Sequence, residues 1–309
     1  MDQSTIVAVF LLFALIIGWI LSNNNYENLS FFAAVEKVNV SNKVVQASST
    51  TSFVSIPKGR FLDERGIEID TGHLEVEEQR MARTYIQPHH VVLELGARFG
   101  TVTYAINARL ADKSAQVSVE PDFRVWKALE ANLAYNDCKQ VRLHKGFVSN
   151  KPLMMATKDL AGGYGASSAP AKADDEAPHI SLRDLEVREG LKFTALVADC
   201  EGYLGTFLNE NPQLYDQLEL VIFEADHWWR CDYKKIRRDL EAHGFIGVEI
   251  GFQSVYKKLS PDVAREVHAW QDAQRKNSTQ VALILAFFAG ALGWVFGRRC
   301  RHGVLVLDK

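Results

Sequence analysis

Val91-Val-Leu-Glu-Leu-Gly-Ala-Arg-Phe-Gly100 is the stretch whose reading decides the fold of this chain. It begins as an apolar run of the kind buried in a parallel sheet. It then reaches an acid, Glu94, and turns on two glycines four positions apart, Gly96 and Gly100. Glycine lets the chain turn sharply against a bound nucleotide with no Cβ in the way. Glu94, at the strand end, can accept hydrogen bonds from a cationic or hydroxyl-bearing ligand. The turn marks a place where a cofactor can meet the backbone.

The next segments build a unit around it. Gln116 to Pro121 reads Gln-Val-Ser-Val-Glu-Pro, a second apolar run ending in an acid, and Glu120 follows Glu94 by 26 residues. That is close to the roughly 20-residue interval between a glycine turn and a ribose-binding acid. Between them, Val102, Ala105, Ile106 and Leu110 fall at helical spacing. The result is strand, helix, strand, with Glu120 a candidate for a ribose diol.

The same alternation continues. A helix is expected over Leu74 to Ile86, ending before Pro88. Further helices are expected over Phe123 to Tyr135 and Tyr233 to His243, with strands over Val141 to Ser149, Phe193 to Asp199, Leu218 to Ala225 and Phe245 to Phe252. Such alternation predicts an α/β fold, a mostly parallel sheet covered by helices on both faces. Thr157 to His179, with Gly-Gly-Tyr-Gly, two prolines and Asp174-Asp175-Glu176, reads as a loop insertion over or near the site.

Two strands end in chemistry. Phe193 to Gly202 reads Phe-Thr-Ala-Leu-Val-Ala-Asp-Cys-Glu-Gly, and Leu218 to His227 reads Leu-Glu-Leu-Val-Ile-Phe-Glu-Ala-Asp-His. In an open parallel sheet the carboxyl edge binds the ligand. Asp199, Glu201, Glu224 and His227 are therefore expected beside the cofactor, where acid and imidazole groups can orient a hydroxyl and take its proton. The plainer role for strand-end acids is to cap helices or pair with Arg and Lys. A variant scheme has these four residues hold a divalent cation that lowers the hydroxyl pKa.

The chain ends differ in kind. Ile6 to Leu21 and Val281 to Phe296 are apolar and without charge over 16 residues each. At ~1.5 Å rise per residue each reaches about 24 Å against a hydrocarbon core of roughly 30 Å, and flanking residues extend them. Both read as membrane spans. Asp2 and the absence of Lys or Arg before the first make it a retained anchor rather than a cleaved leader. Small residues at Ala286, Ala289, Gly290, Gly293 and Gly297 suit close helix approach, with Ala14 and Gly18 as partners or with a second chain. Arg298, Arg299 and Arg301 favour a cytosolic tail. Acceptor sequences for glycosylation at Asn28, Asn39 and Asn277 point the domain away from the cytosol, whereas use of a cytosolic metabolite argues the reverse. The organisation is a membrane anchor at 1–22, a Ser/Thr/Asn-rich stalk at 23–59, a folded domain at 60–260, a helix and second span at 261–297 and a basic tail at 298–309. The localisation expected is an endomembrane or the plasma membrane.

Composition excludes other classes. With 309 residues, 47% hydrophobic and 24% charged, the chain can bury one sizeable core. A net charge of −3 leaves no electrostatic footprint for nucleic acid. Lys234, Lys235, Arg237 and Arg238 alternate with Asp232, Asp239 and Glu241, as on a solvated helix face. Cys138, Cys200, Cys231 and Cys300 show no metal-type spacing, and Cys200 reads as a small buried thiol.

Taken in order, Glu94-Leu-Gly-Ala-Arg-Phe-Gly100, Val119-Glu-Pro-Asp122 with Leu129 and Asn132, Ser181-Leu-Arg-Asp-Leu185, Asp199-Cys-Glu-Gly202 and Glu224-Ala-Asp-His227 carry a resemblance. Over roughly residues 75 to 252 the chain resembles the FkbM-type family of S-adenosylmethionine-dependent methyltransferases. The resemblance implies a Rossmann-like class I methyltransferase domain and methyl transfer to an oxygen of a sugar or other small hydroxylated acceptor. It also implies that Gly96 and Gly100, with Glu94, hold the amino acid portion of S-adenosylmethionine, that Glu120 holds its ribose, and that Asp199 sits near the methyl donor. The family usually has Asp and Asn where this chain has Glu94 and Arg98. Arg98 favours the rival from another class, a catalytically inactive methyltransferase fold used as a membrane scaffold. The strand-acid geometry also serves nucleotide-sugar and dinucleotide cofactors, although the paired glycines of a pyrophosphate site are missing.

Overall fold

The structure, a computed structural model, describes residues 58–70, 73–156, 167–172, 177–260, 263 and 265. Both expected membrane spans, most of the stalk and the basic tail lie outside the described residues. Among the described residues, no helix is long and apolar enough to cross a membrane. The chain divides into two compact units between Leu259 and Ser260, and the elements below all belong to the first.

Helix α1 (Val76–Tyr85) leads into strand β1 (Val92–Leu95), α2 (Thr101–Arg109), β2 (Gln116–Glu120), α3 (Trp126–Tyr135) and β3 (Arg142–Lys145). After short strands β4 (Phe147–Val148), β5 (Leu153–Ala156), β6 (Ser167–Pro170) and β7 (His179–Ile180) come α4 (Leu182–Glu189) and β8 (Ala195–Ala198). The domain closes with α5 (Leu204–Glu210), α6 (Leu214–Gln217), β9 (Leu220–Glu224), α7 (Tyr233–Ala242), β10 (Phe245–Glu249) and β11 (Gln253–Lys258).

Seven strands form the main sheet in the order β10-β11-β9-β8-β1-β2-β3. β3, β2, β1, β8 and β9 pair in parallel, and only β11 runs antiparallel to its neighbours. The order reverses beside β1, so a crevice opens there at the carboxyl ends of the strands. This is the expected Rossmann-like architecture.

Strand alternation splits the core by side-chain parity. Val92, Ala195, Val197, Leu220 and Ile222 pack with Met81 and Ala82 of α1 and Val102, Ala105 and Ile106 of α2. Leu93, Leu95, Leu196, Ala198, Val221 and Phe223 point the other way, against Leu185, Phe207, Leu208, Ile236 and Leu240 from α4, α5 and α7. Both faces are thus covered. Each of the buried Val, Leu, Ile, Phe and Met side chains contributes about 1.5–3 kcal/mol relative to exposure.

The structure corrects several local expectations. The strand expected over 141–149 breaks at Gly146, whose φ of 146° lets Gly146 N reach Glu120 O at 3.0 Å. A Cβ there would lie 2.2 Å from the Pro178 carbonyl oxygen, so only glycine fits, and beyond it β4 pairs with β7 outside the main sheet. The insertion expected over 157–179 is strand at both its described ends, because β5 and β6 close an antiparallel ladder and β7 lies beside β4. The strand expected to reach Phe252 stops at Glu249, and Ser254 Oγ closes a turn on Gly251. β11 follows that turn unannounced. Its Gln-Ser-Val-Tyr-Lys-Lys sequence is polar at both ends, and only Ser254, Val255 and Tyr256 are buried.

Candidate active site at the carboxyl edge

Gly96 and Gly100 both have left-handed backbones, with φ of 94° and 85°. Space as well as conformation demands glycine at 96, since a Cβ there would stand 1.7 Å from the carbonyl oxygen of Asp199. The turn is fastened to its neighbours: Gly96 N and Ala97 N donate to Val119 O, and Asp199 N donates to Leu95 O, each at 3.0 Å. Gly100 starts α2. Asn132, fully buried on α3, donates to the carbonyls of Phe99 and Leu62 and accepts from Leu62 N, which binds the turn to the segment before α1.

Around this turn lies a cleft of about 770 Å³, counting its open mouth. Gly96, Arg98, Glu120 and Asp122 form one side, and Asp199, Cys200, Glu201 and Tyr203 the other; Glu75, Met155 and Ser168 also reach it. Of the residues expected at the site, Gly96, Glu120, Asp199 and Glu201 line this cleft, whereas Glu94, Gly100, Glu224 and His227 are not among its lining residues.

Glu120 is committed to the fold on both oxygens. Oε2 accepts from Arg98 N and Oε1 from Asp122 N, each at 2.7 Å. Burial pushes its carboxyl up to about 7, and the two backbone donors and Arg98 work against that rise. Arg98, a cleft-lining residue, has a positive φ of 44°, and its guanidinium lies 4.6 Å from the Phe99 ring centre.

Glu94 does not line this cleft. It points to the α1–α2 face, where Oε2 accepts from Ser118 Oγ (2.5 Å), Thr103 Oγ1 (2.7 Å) and Gln116 Nε2 (3.3 Å). Its Oε1 is buried with no hydrogen-bond partner. A small pocket shared with Glu75, Glu78, Asp199 and Glu224 adjoins it. Burial raises Glu94 to about 7, and burial does the same for Glu75, which accepts from Thr101 Oγ1. The structure thus places Glu94 on the α1–α2 face, bonded to β2 and α2, because strand parity sends its side chain away from the larger cleft.

Asp199 and Glu224 meet at the ends of β8 and β9. Burial raises both, Asp199 well above the usual carboxylate range and Glu224 to about 7; facing acids push each further up. Glu224 opens onto the small pocket and not the cleft. Cys200 lines the cleft, but burial pushes its thiol far up, against any role as a thiolate nucleophile.

His227 sits between two acids: Nδ1 is 2.7 Å from Asp226 Oδ2 and 2.8 Å from Glu201 Oε2. Asp226 also accepts from Gly202 N at 3.1 Å and Tyr233 Oη at 2.8 Å. With Nδ1 donating to carboxylates, the Nε2 lone pair is the basic one. Glu201 and His227 both have positive φ, 52° and 42°. Together with Glu75 and Arg98 they put four of the five such non-glycine residues described at this rim, where strained backbones accompany functional sites. The donor atoms of Glu201, Asp226 and His227 lie within 4.8 Å of one another and could hold a metal ion. The cation set expected from sequence is different, since Asp199 and Glu224 fall outside this group.

Sequence reasoning passed over Glu75, Asp226 and Tyr203. Asp226 stood inside a quoted motif, but nothing local distinguishes it from Glu224. Glu75 precedes a helix and reaches the cleft only through packing of α1.

No family model matches this chain, and no curated protein matches it. Among solved structures it is similar to a ribosomal protein L11 methylase from Lactobacillus delbrueckii subsp. bulgaricus, at 18% identity over 66% of this chain and 83% of that one, with a TM-score of 0.36. A precorrin-6y C5,15-methyltransferase from Geobacter metallireducens GS-15 is 13% identical over 62% of this chain and 90% of that one, with a TM-score of 0.39. An O-methyltransferase from Bacillus cereus in complex with SAH is 13% identical over 73% of this chain and 96% of that one, with a TM-score of 0.36. At these values the likeness carries no inference of its own.

Proposed function

We propose that this chain is an S-adenosylmethionine-dependent O-methyltransferase of the FkbM type, held at a membrane by apolar segments at both ends and acting on a hydroxyl of a sugar or other small molecule. One observation carries the reading: the β1 glycine turn and the β2 acid face Asp199 and Glu201 across a single cleft at the switch point of the sheet.

The residues fit the cofactor. Its sulfonium and ammonium charges suit a rim rich in carboxyl groups, and its carboxylate suits the Arg98 cation. Bound there, S-adenosylmethionine supplies an electrophilic methyl group. The chain supplies position and a base, and most of the gain in such a reaction comes from holding the partners together. Glu120 keeps lone pairs for ribose hydroxyls beyond those given to Arg98 N and Asp122 N. Asp199, at the cleft wall, would stand next to the donor. His227 Nε2 takes the hydroxyl proton while Glu201 and Asp226 hold the imidazole through Nδ1.

The same Glu120 contacts favour a second reading, a membrane scaffold on an inactive fold, in which that carboxylate is a structural tie and nothing more. Calorimetric titration of the full chain in detergent with S-adenosylmethionine and with NAD separates the readings. Binding of the first alone supports the enzyme, NAD binding points to a dinucleotide enzyme, and binding of neither supports the scaffold. Glycosidase sensitivity of the expressed chain reports which side of the membrane carries the domain.

A further inference from the structure

We infer that the carboxyl rim of the sheet docks on a lipid bilayer, so that the cleft takes its hydroxyl-bearing acceptor from the membrane interface. This rests on the membrane-held reading above and names the source of the substrate.

Of the exposed aromatic side chains, Tyr135 stands apart at the end of α3 and the others gather at the rim. Every exposed Trp and Phe among the described residues lies on a loop leaving this rim: Phe123 after β2, Trp228 and Trp229 after β9, and Phe252 after β10. Their exposures are 69%, 77%, 65% and 57%, and Ile250 beside Phe252 is 47% exposed. Large apolar groups gathered on one face mark an interaction surface, whereas single ones need no explanation. Two of the loops flank the cleft mouth. Phe123 follows the lining residues Pro121 and Asp122, and Trp229 stands edge-on to His227 at 4.8 Å between ring centres. Arg230 donates to the carbonyl of Ser168, itself a cleft residue, so the tryptophan loop closes around the opening.

The chemistry of the patch selects a bilayer over a protein. Trp combines an apolar ring with a polar N–H and concentrates at membrane–water boundaries. Exposed cations lie on the same segments, Lys127 at the start of α3, Arg230 in the loop and Lys234 at the start of α7, together with the exposed acids Glu130 and Asp232. Cations so placed are attracted to anionic headgroups. The sequence on either side agrees. Uncharged apolar segments at 6–21 and 281–296 flank the domain, so a chain held by both keeps the domain within reach of the bilayer surface.

The test places an environment-sensitive NBD label on the full chain at W228C and, separately, at F252C, each with C300S. V187C, on α4 and 75% exposed, is the control. All are reconstituted in phosphatidylcholine vesicles containing phosphatidylglycerol. Docking predicts a blue shift and gain in emission at 228 and 252 and water-like emission at 187. Water-like emission at all three positions overturns it. A shift at 228 and 252 that arises in detergent on self-association, without lipid, gives the patch to a second copy and also overturns it. Alkaline carbonate extraction reads the anchors separately. A chain that resists extraction with no shift at 228 keeps its anchors and loses the docking; a chain that is extracted but shifts on vesicles keeps the docking and loses the anchors.

Discussion

Along β1 and β2, carboxylates serve as internal fasteners: Glu120 holds Arg98 N and Asp122 N, and Glu94 collects Ser118, Thr103 and Gln116. Along β8 and β9 they face one another and a histidine, with Asp199 opposite Glu224 and His227 between Asp226 and Glu201. The first arrangement makes a rigid seat, because each acid satisfies donors that would otherwise be stranded in the interior. The second keeps its charge adjustable, because like acids in a buried place compete for protons. A transferase needs one of each, a seat for the donor and a movable proton for the acceptor.

The seat is where a small change does the most harm. Gly96→Ala forces a methyl against the Asp199 carbonyl, and overpacking together with the left-handed backbone is expected to cost about 3 kcal/mol or more. Chemical denaturation measures it; a wild-type midpoint would mean that the two strand ends can move apart freely. In the proton-handling half, His227→Ala is expected to lower the methyl-transfer rate about 100-fold with cofactor affinity unchanged. Equal loss in both quantities would assign His227 to the seat. Glu120→Gln turns one acceptor into a donor facing a backbone N–H, and the lost pairing of about 1–3 kcal/mol should weaken cofactor binding roughly tenfold or more in calorimetry.

Acidity sharpens the contrast further. Burial raises Glu75, Glu94, Glu120 and Glu224 to about 7 from 4.5. Between those two values the folded protein keeps protons that the unfolded chain has released, so stability falls as pH rises across that window. His90 acts oppositely: burial lowers it from 6.5 to about 4, so its share of stability is lost as pH falls through that range. The four glutamates outnumber it, and the melting temperature of the cofactor-free protein should drop from pH 5 to pH 8. Cofactor affinity should rise over the same interval, because deprotonation creates the negative charge that meets the sulfonium. A melting temperature that climbs with pH would mean that the acids are ionised in the empty cleft. The smallest effect belongs to Glu94→Gln. An amide can keep the carbonyl on the three donors and put its N–H₂ at the unpartnered Oε1 position, so stability at pH 5 should change by less than about 1 kcal/mol. At pH 8 the variant should be the more stable protein.

The central strands were legible because a strand buried on both faces needs an apolar run, and Val91–Leu93, Ala195–Ala198 and Leu220–Phe223 show one. β11 was not, because an antiparallel strand with polar ends has neither that run nor a helix to announce it. The site was half legible. Glu120, Asp199 and Glu201 could be read from strand ends, whereas the direction of Glu94, the partnership of Asp226 with His227 and the arrival of Glu75 could not.

The sequence by itself determined the α/β order, the glycine turn and the acids that close each strand, since these follow from local periodicity and from what a backbone can do without a Cβ. Only the tertiary structure decided which carboxylates fasten the turn, which share protons, and which exposed rings gather at one rim. Those outcomes depend on strand parity and on the meeting of segments more than 100 residues apart, as when Gly96 meets Asp199.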